Sequence, residues 1–215
     1  MTIVYDTPAS AMSRLMELGI PLEPIQRAIQ TGFVARISCT ENDAPFFPGT
    51  MGWGYTLRTL RDELCSRGWR KEDPSNFSIV ISDERKIQIV VESGDALVRN
   101  RHGSPRTKSL KGLYTEAATI KNRLDGDFFP DTISDDLKRV ISILEYPTWI
   151  LLIHITDNEY RAELSFPIDM EFEQVTGWKE RIFIPDPSTG GGDRIGDSDS
   201  GPDEGDIDIP VRRKA

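Results

Sequence analysis

The sequence predicts an α+β fold: a mostly antiparallel sheet of about five strands with helices packed on one of its faces. Three observations lead there. Apolar residues recur every three or four positions in the first third of the chain and at a period of two over residues 77–91, and strand-length apolar runs return at 149–156 and 160–166. The runs come as helices, a hairpin, more helices and a closing strand meander, not as the regular alternation of a doubly wound parallel sheet. After residue 185 the chain turns to Gly, Asp, Ser and Pro without an aromatic residue.

Met12, Leu15, Met16 and Gly19 form one helical stripe, and Leu22, Ile25 and Ile29 a second. Gly19-Ile20-Pro21 separates them, so residues 10–32 read as a helical hairpin, with Pro21 in the first turn of the second helix and Gly32 at its end. A DNA-reading helix would present several bases or amides there. Only Gln26, Arg27 and Gln30 qualify, and a plain hairpin is favoured. Residues 40–53, broken by Pro and Gly, predict an irregular loop. A third helix follows on Trp53, Leu57, Leu60 and Leu64, with Gly68 as its stop.

Residues 77–82 and 86–91 alternate around Asp83-Glu84-Arg85 and predict a hairpin. After a basic stretch, helix signals return at Leu113, Ala117, Ile120 and Leu124. Ser134 is placed to cap the next helix, with Asp135 and Asp136 at its positive end and Leu137, Val140, Ile141 and Leu144 on one face. Three strands complete the body, at 149–156, 160–166 and 180–185, the first two joined by Asp157-Asn158.

Lys and Arg number 26 against 35 Asp and Glu, a formal charge of −9. That is the wrong sign for a whole-body nucleic-acid binder or a membrane-surface protein. The longest apolar run, 149–153, is far too short to cross a bilayer, and no membrane role is expected. No basic segment followed by an apolar core opens the chain, so no secretory signal is expected. Cys39 and Cys65 cannot build a disulfide framework, which predicts a reducing, cytoplasmic home. Residues 1–185 therefore read as one domain. Residues 186–215, with eight acids against four bases, read as a disordered acidic tail.

The segments Gly52-Trp53-Gly54, Thr59-Leu60-Arg61-Asp62-Glu63-Leu64, Gly68-Trp69, Asn76-Phe77-Ser78 and Glu92-Ser93-Gly94-Asp95 resemble a family of bacterial proteins of unassigned function. The resemblance covers roughly residues 20–185, the extent of an ordinary domain. It implies a bacterial, cytoplasmic setting and brings no activity, cofactor or catalytic residue.

No metal spacing links Cys39, Cys65, His102 and His154, and no cofactor is expected. Cys39 would act as a nucleophile only with His102 or His154 beside it; otherwise it is a packed thiol. His154 alternates with Ile150 and Leu152, as a sheet-face histidine does. The nucleophile elbow and the common phosphate loops are absent. A magnesium nuclease needs two carboxylates and a lysine. Asp83 and Glu92 are the candidates, but Gly94 stands where the lysine belongs, so Lys108 or Lys111 would have to replace it in space. The alternative is a hairpin with charged ends. Asp125, Asp127 and Asp131 read as a solvated loop before the capped helix.

Residues 99–112 hold Arg99, Arg101, Arg106, Lys108 and Lys111 and no acid. They read either as a phosphate or nucleic-acid contact or as a surface loop balancing acids such as Glu92 and Asp95. At the C-terminus Ile207, Ile209 and Val211 alternate behind an acidic spacer, the pattern of a tethered peptide that adds a strand to a sheet edge, a partner's or its own. The function expected is a non-catalytic cytoplasmic adaptor that joins a larger bacterial assembly through this docking peptide. The alternative is a nucleic-acid-directed component acting through the basic segment or through Asp83 and Glu92.

Overall fold

The computed structural model describes residues 2–124 and 133–186. The expectations placed on the tail, including Ile207, Ile209 and Val211, and on Asp125, Asp127 and Asp131, lie outside the described residues. The elements run β1 (Ile3–Tyr5), α1 (Pro8–Glu17), α2 (Leu22–Ile37), α3 (Phe47–Cys65), β2 (Arg70–Glu72), a 3₁₀ turn (Pro74–Asn76), β3 (Ile79–Ser82) and β4 (Ile87–Ser93). Then come α4 (Leu113–Arg123), α5 (Asp135–Ile143), β5 (Thr148–Ile155), β6 (Tyr160–Glu171) and β7 (Gln174–Phe183).

The strands form one sheet of seven in the order β1-β7-β6-β5-β4-β3-β2. It is mixed, since β1 pairs parallel to β7 and β4 parallel to β5. This corrects the expected five-stranded, mostly antiparallel sheet, for two physical reasons. β1 and β2 are three residues each, too short to show alternation. The parallel pairing of β4 with β5 rests on a long crossover through α4 and α5, which no local pattern reports. Among the described residues no helix is long and apolar enough to cross a membrane.

Both faces of the sheet are covered, which corrects the expectation of helices on one face. Leu15, Ile25, Ile29 and Leu60 of α1, α2 and α3 pack on Ile89, Val91, Trp149, Leu151, Ile153 and Leu164. The alternate strand positions, Ile81, Val90, Ile150, Leu152, Val175 and Trp178, build a second core on the other face. Phe77 joins that core to the packed faces of α4 and α5, at Ala117, Ala118, Leu137, Val140 and Ile141. Burial on both faces is why residues 149–153 are uninterruptedly apolar. α4 also mends a break in the sheet. The Asn122 side chain donates to the carbonyls of Thr148 (2.7 Å) and Pro167 (2.9 Å), where β6 is irregular, and accepts from the Thr148 amide.

Gly32 proves to be a contact residue rather than a helix end. A Cβ there would stand 2.0 Å from Thr56 Oγ1 and 2.5 Å from the Gly52 carbonyl of α3, so its absence lets α2 and α3 cross closely. α2 continues to Ile37, and α3 starts at Phe47, inside the stretch expected to be a loop. Elsewhere the local signals hold. Gly19 has φ +66° in the turn between α1 and α2, and the Ser134 side chain accepts the Leu137 amide at the start of α5.

Candidate ligand-binding cleft

The parallel pair β4–β5 sends Ser93, Gly94 and His154 to the same end of the sheet. α2 ends there and α3 begins there, carrying Arg36 and Trp53 to the same place. Residues 106–108 close the remaining side as a short antiparallel segment: Gly94 bridges Thr107, Asp95 N donates to Arg106 O (3.1 Å) and Lys108 N to Ser93 O (2.7 Å). The space outside the carboxyl ends of adjacent parallel strands is where open α/β sheets commonly take ligands.

The result is a cleft of about 590 Å³. Its polar groups are Arg36, Lys108 and His154 with the hydroxyls of Thr50, Ser93, Ser109 and Thr156, and none of its sixteen lining residues is Asp or Glu. Arg36 is held by Asp157, at 3.0 Å. Lys108 is exposed and makes no ion pair among the described residues. His154 Nδ1 lies 3.2 Å from Gly94 O, so a proton on Nδ1 donates to that carbonyl and the other ring nitrogen is left toward the cleft. The Trp53 indole N–H donates to Val91 O at 2.8 Å and fixes its ring over the strand end, while Phe46 stands at the lip, 72 % exposed. α3 begins without a side-chain cap and without an acidic residue in its first turn, so its positive end adds to the local potential.

The segment that carries Lys108 is pinned from beneath by groups the sequence reading missed. Glu163 and Arg181 form a buried ion pair on β6 and β7, 0 % and 3 % exposed, at 2.7 Å. Arg181 also donates to the carbonyls of Asn100 (3.1 Å) and Gly103 (2.6 Å), and Glu163 accepts the Arg99 amide at 2.8 Å, where Arg99 takes φ +61°. Farther along, Trp178 Nε1 donates to Pro105 O and Gln174 Nε2 to Thr107 O. The only available signal was a pair of charged residues at alternating strand positions, which ordinarily face solvent.

The five bases of residues 99–112 do not act together. Arg99 pairs with Asp186, Arg101 with Asp6 and Lys111 with Glu92. Among the described residues Arg106 and Lys108 lack such partners, and of these two only Lys108 lines the cleft. Gly52 and Trp53 of α3 meet Ser93 and Gly94 at the end of β4 here.

Asp83 and Glu92 are not brought together. Ser82 pairs with Ile87, five residues before Glu92. The two carboxylates therefore stand at opposite ends of β4, roughly 17 Å apart at about 3.4 Å per residue. Asp83 is held by Arg70 (2.9 and 3.1 Å), whose hydrogen bonds keep its carboxyl below the usual range. Burial pushes the Glu92 carboxyl up, opposed by Lys111. Among the described residues no three His, Cys, Asp or Glu side chains converge as a metal site would need. The Cys39 thiol donates to Ala35 O (3.6 Å), and neither His102 nor His154 partners it.

No protein-family model matches the chain, nor does any curated protein or solved structure.

Proposed function

We propose that the protein is a binding module whose cleft takes a nucleotide, either free or as the end of a single-stranded nucleic acid. The observation that carries this reading is the lining: in a chain of net charge −9, one cleft is lined by Lys108, His154 and Arg36, the last held by Asp157, with no Asp or Glu in the lining itself. An unpaired ammonium and nearby hydroxyls suit phosphate oxygens, and the exposed Phe46 beside Trp53 suits a base. A volume of about 590 Å³ falls among ordinary small-ligand sites. The reading narrows the nucleic-acid-directed alternative from five bases to one, and it sets aside the nuclease version because Asp83 stands at the opposite end of β4 from Glu92. It keeps the non-catalytic class expected from the sequence.

The test is titration with AMP, ATP and a short oligothymidylate, followed by calorimetry and tryptophan fluorescence. Lys108→Ala removes a charge-assisted hydrogen bond of about 1.5–3 kcal/mol, so affinity falls about 10- to 100-fold. Lys108→Arg retains most of it, and Arg106→Ala leaves it unchanged. Equal affinity per phosphate for ATP and the oligonucleotide identifies a free nucleotide; tighter oligonucleotide binding identifies a strand end. Absence of binding at millimolar ligand, or indifference to Lys108→Ala, overturns the reading.

A further inference from the structure

A second concavity lies at the opposite end of the sheet, beside the β3–β4 turn, and it has a different character. It is a groove of about 890 Å³ walled by Met12, Leu15 and Met16 of α1, by Ile20 and Leu22, and by Trp69. Met12 is 50 % exposed and Met16 77 %, so two flexible, polarizable side chains on one helix face are left without cover. Its rim carries Arg67, paired with Glu63 (3.7 Å) and Glu23 (3.9 Å), and Arg85, paired with Glu84 (3.1 Å), so its charges are balanced and its character is apolar. The Arg85 side chain lies directly on Gly19, where a Cβ would come within 2.5 Å of Nε, so this rim is held against the turn between α1 and α2.

We propose that the C-terminal peptide bearing Ile207, Ile209 and Val211 docks in this groove in cis. Gln26 Nε2 donates to Pro185 O at 2.8 Å. Gln26 lies one turn along α2 from Leu22, a residue that walls the groove, while β7 delivers Pro185 to the cleft end of the sheet, so the chain has to run back along α2 to reach the groove. From Asp186 to Ile207 the chain runs 21 residues. A Gly/Ser/Asp chain of that length has a root-mean-square reach of about 25 Å, enough to arrive and turn back along the groove. The three apolar side chains match an apolar wall. A tether of this kind gives an effective concentration on the order of millimolar, so a peptide with a Kd of about 0.1 mM in trans is about nine-tenths docked in cis.

Methionine-methyl NMR of the full chain tests this without reference to the nucleotide cleft. In the triple variant Ile207→Asp, Ile209→Asp, Val211→Asp the methyl signals of Met12 and Met16 move, while those of Met51 and Met170, outside the groove, stay in place. The difference persists on roughly tenfold dilution. The reverse variant, Met16→Asp, changes a side chain already exposed and moves the amide signals of Ile207, Asp208, Ile209 and Val211 to their positions in a free synthetic peptide 203–215. Unmoved Met12 and Met16 signals overturn the proposal. So does a difference that fades on dilution, which assigns the groove to the tail of a second copy, and so does movement of all four methyls.

Discussion

Arg181→Met is the sharpest perturbation of the frame that holds the cleft. Glu163 is fully buried and takes bonds from Arg181 Nε (2.8 Å) and Nη2 (2.7 Å), from Ser165 Oγ (2.8 Å) and from the Arg99 amide (2.8 Å). Methionine fills most of the volume but removes both charge-assisted bonds and leaves the Asn100 and Gly103 carbonyls without their donor. Breaking a buried pair from one side costs about 3–5 kcal/mol, because the remaining charge stays desolvated. For a domain of this size about 1 kcal/mol moves Tm by about 2–4 °C, so the expected fall is roughly 6–20 °C. Calorimetry reads it directly, and urea unfolding of the full chain should show a lower midpoint at an unchanged slope. Glu163→Leu with Arg181→Met removes both charges and recovers about half of the loss or more. Arg101→Ala, which breaks an exposed pair with Asp6, changes stability by less than about 1 kcal/mol. A loss below about 1 kcal/mol in Arg181→Met would mean that water reaches Glu163, and the claim that this pair anchors residues 99–108 would fall.

Three further outcomes follow from separate parts of the fold. Gly32→Ala forces a methyl against Thr56 and the Gly52 carbonyl, and costs about 3 kcal/mol, read as a fall in Tm of about 6–12 °C; an unchanged Tm would show that α2 and α3 separate freely. Ser134→Ala removes the cap on the Leu137 amide and costs about 1 kcal/mol in urea unfolding, whereas Ser142→Ala, outside the cap, costs less. Glu92 gives a pH signature. Burial raises its carboxyl in the folded chain, so the folded state holds that proton more tightly than the unfolded state. Its stabilising contribution is complete below about pH 4.3, the ordinary glutamate value, and is lost as pH rises through the folded value. The Tm of Glu92→Gln relative to the parent therefore climbs across that interval; a relative Tm that falls there would mean that attraction to Lys111 outweighs burial.

What the sequence reveals is local, and its omissions are long-range. Ser134 and Asp135-Asp136 announce a helix start because capping needs only neighbours in the chain. Gly19 and the turn after Ser82 are legible for the same reason. Gly32 shows where the rule misleads. Glycine ends helices and also permits helices to touch, and only the position of Gly52 and Thr56 on another helix decides between the two. The basic segment is the functional counterpart. Five bases without an acid look like one charged surface, yet Asp186, Glu92 and Asp6 arrive from distant elements and neutralise three of them. The cleft itself was invisible as a unit, because Arg36, Phe46, Ser93, Lys108 and His154 meet only through the parallel pairing of β4 with β5.

That neutralisation makes the salt dependence of oligonucleotide binding a decisive quantity. A chain of net charge −9 repels an extended polyanion, and on the proposed function the cleft, where Lys108 is the cation without an ion pair among the described residues, takes only the phosphates at a strand's end. For single strands the logarithm of affinity falls with the logarithm of salt at a slope of about −0.7 per phosphate neutralised. One or two contacts at the cleft give a slope of about −0.7 to −1.4, whereas engagement of all five bases gives about −3.5. The slope, measured with a short oligothymidylate on the parent and on Lys108→Ala, separates the cases. The expected result is a shallow slope that loses about 0.7 in the variant. A steep slope that persists without Lys108 would mean that the ion pairs of Arg99, Arg101 and Lys111 open to the strand, and the binding surface would then be the whole of residues 99–112 rather than the cleft.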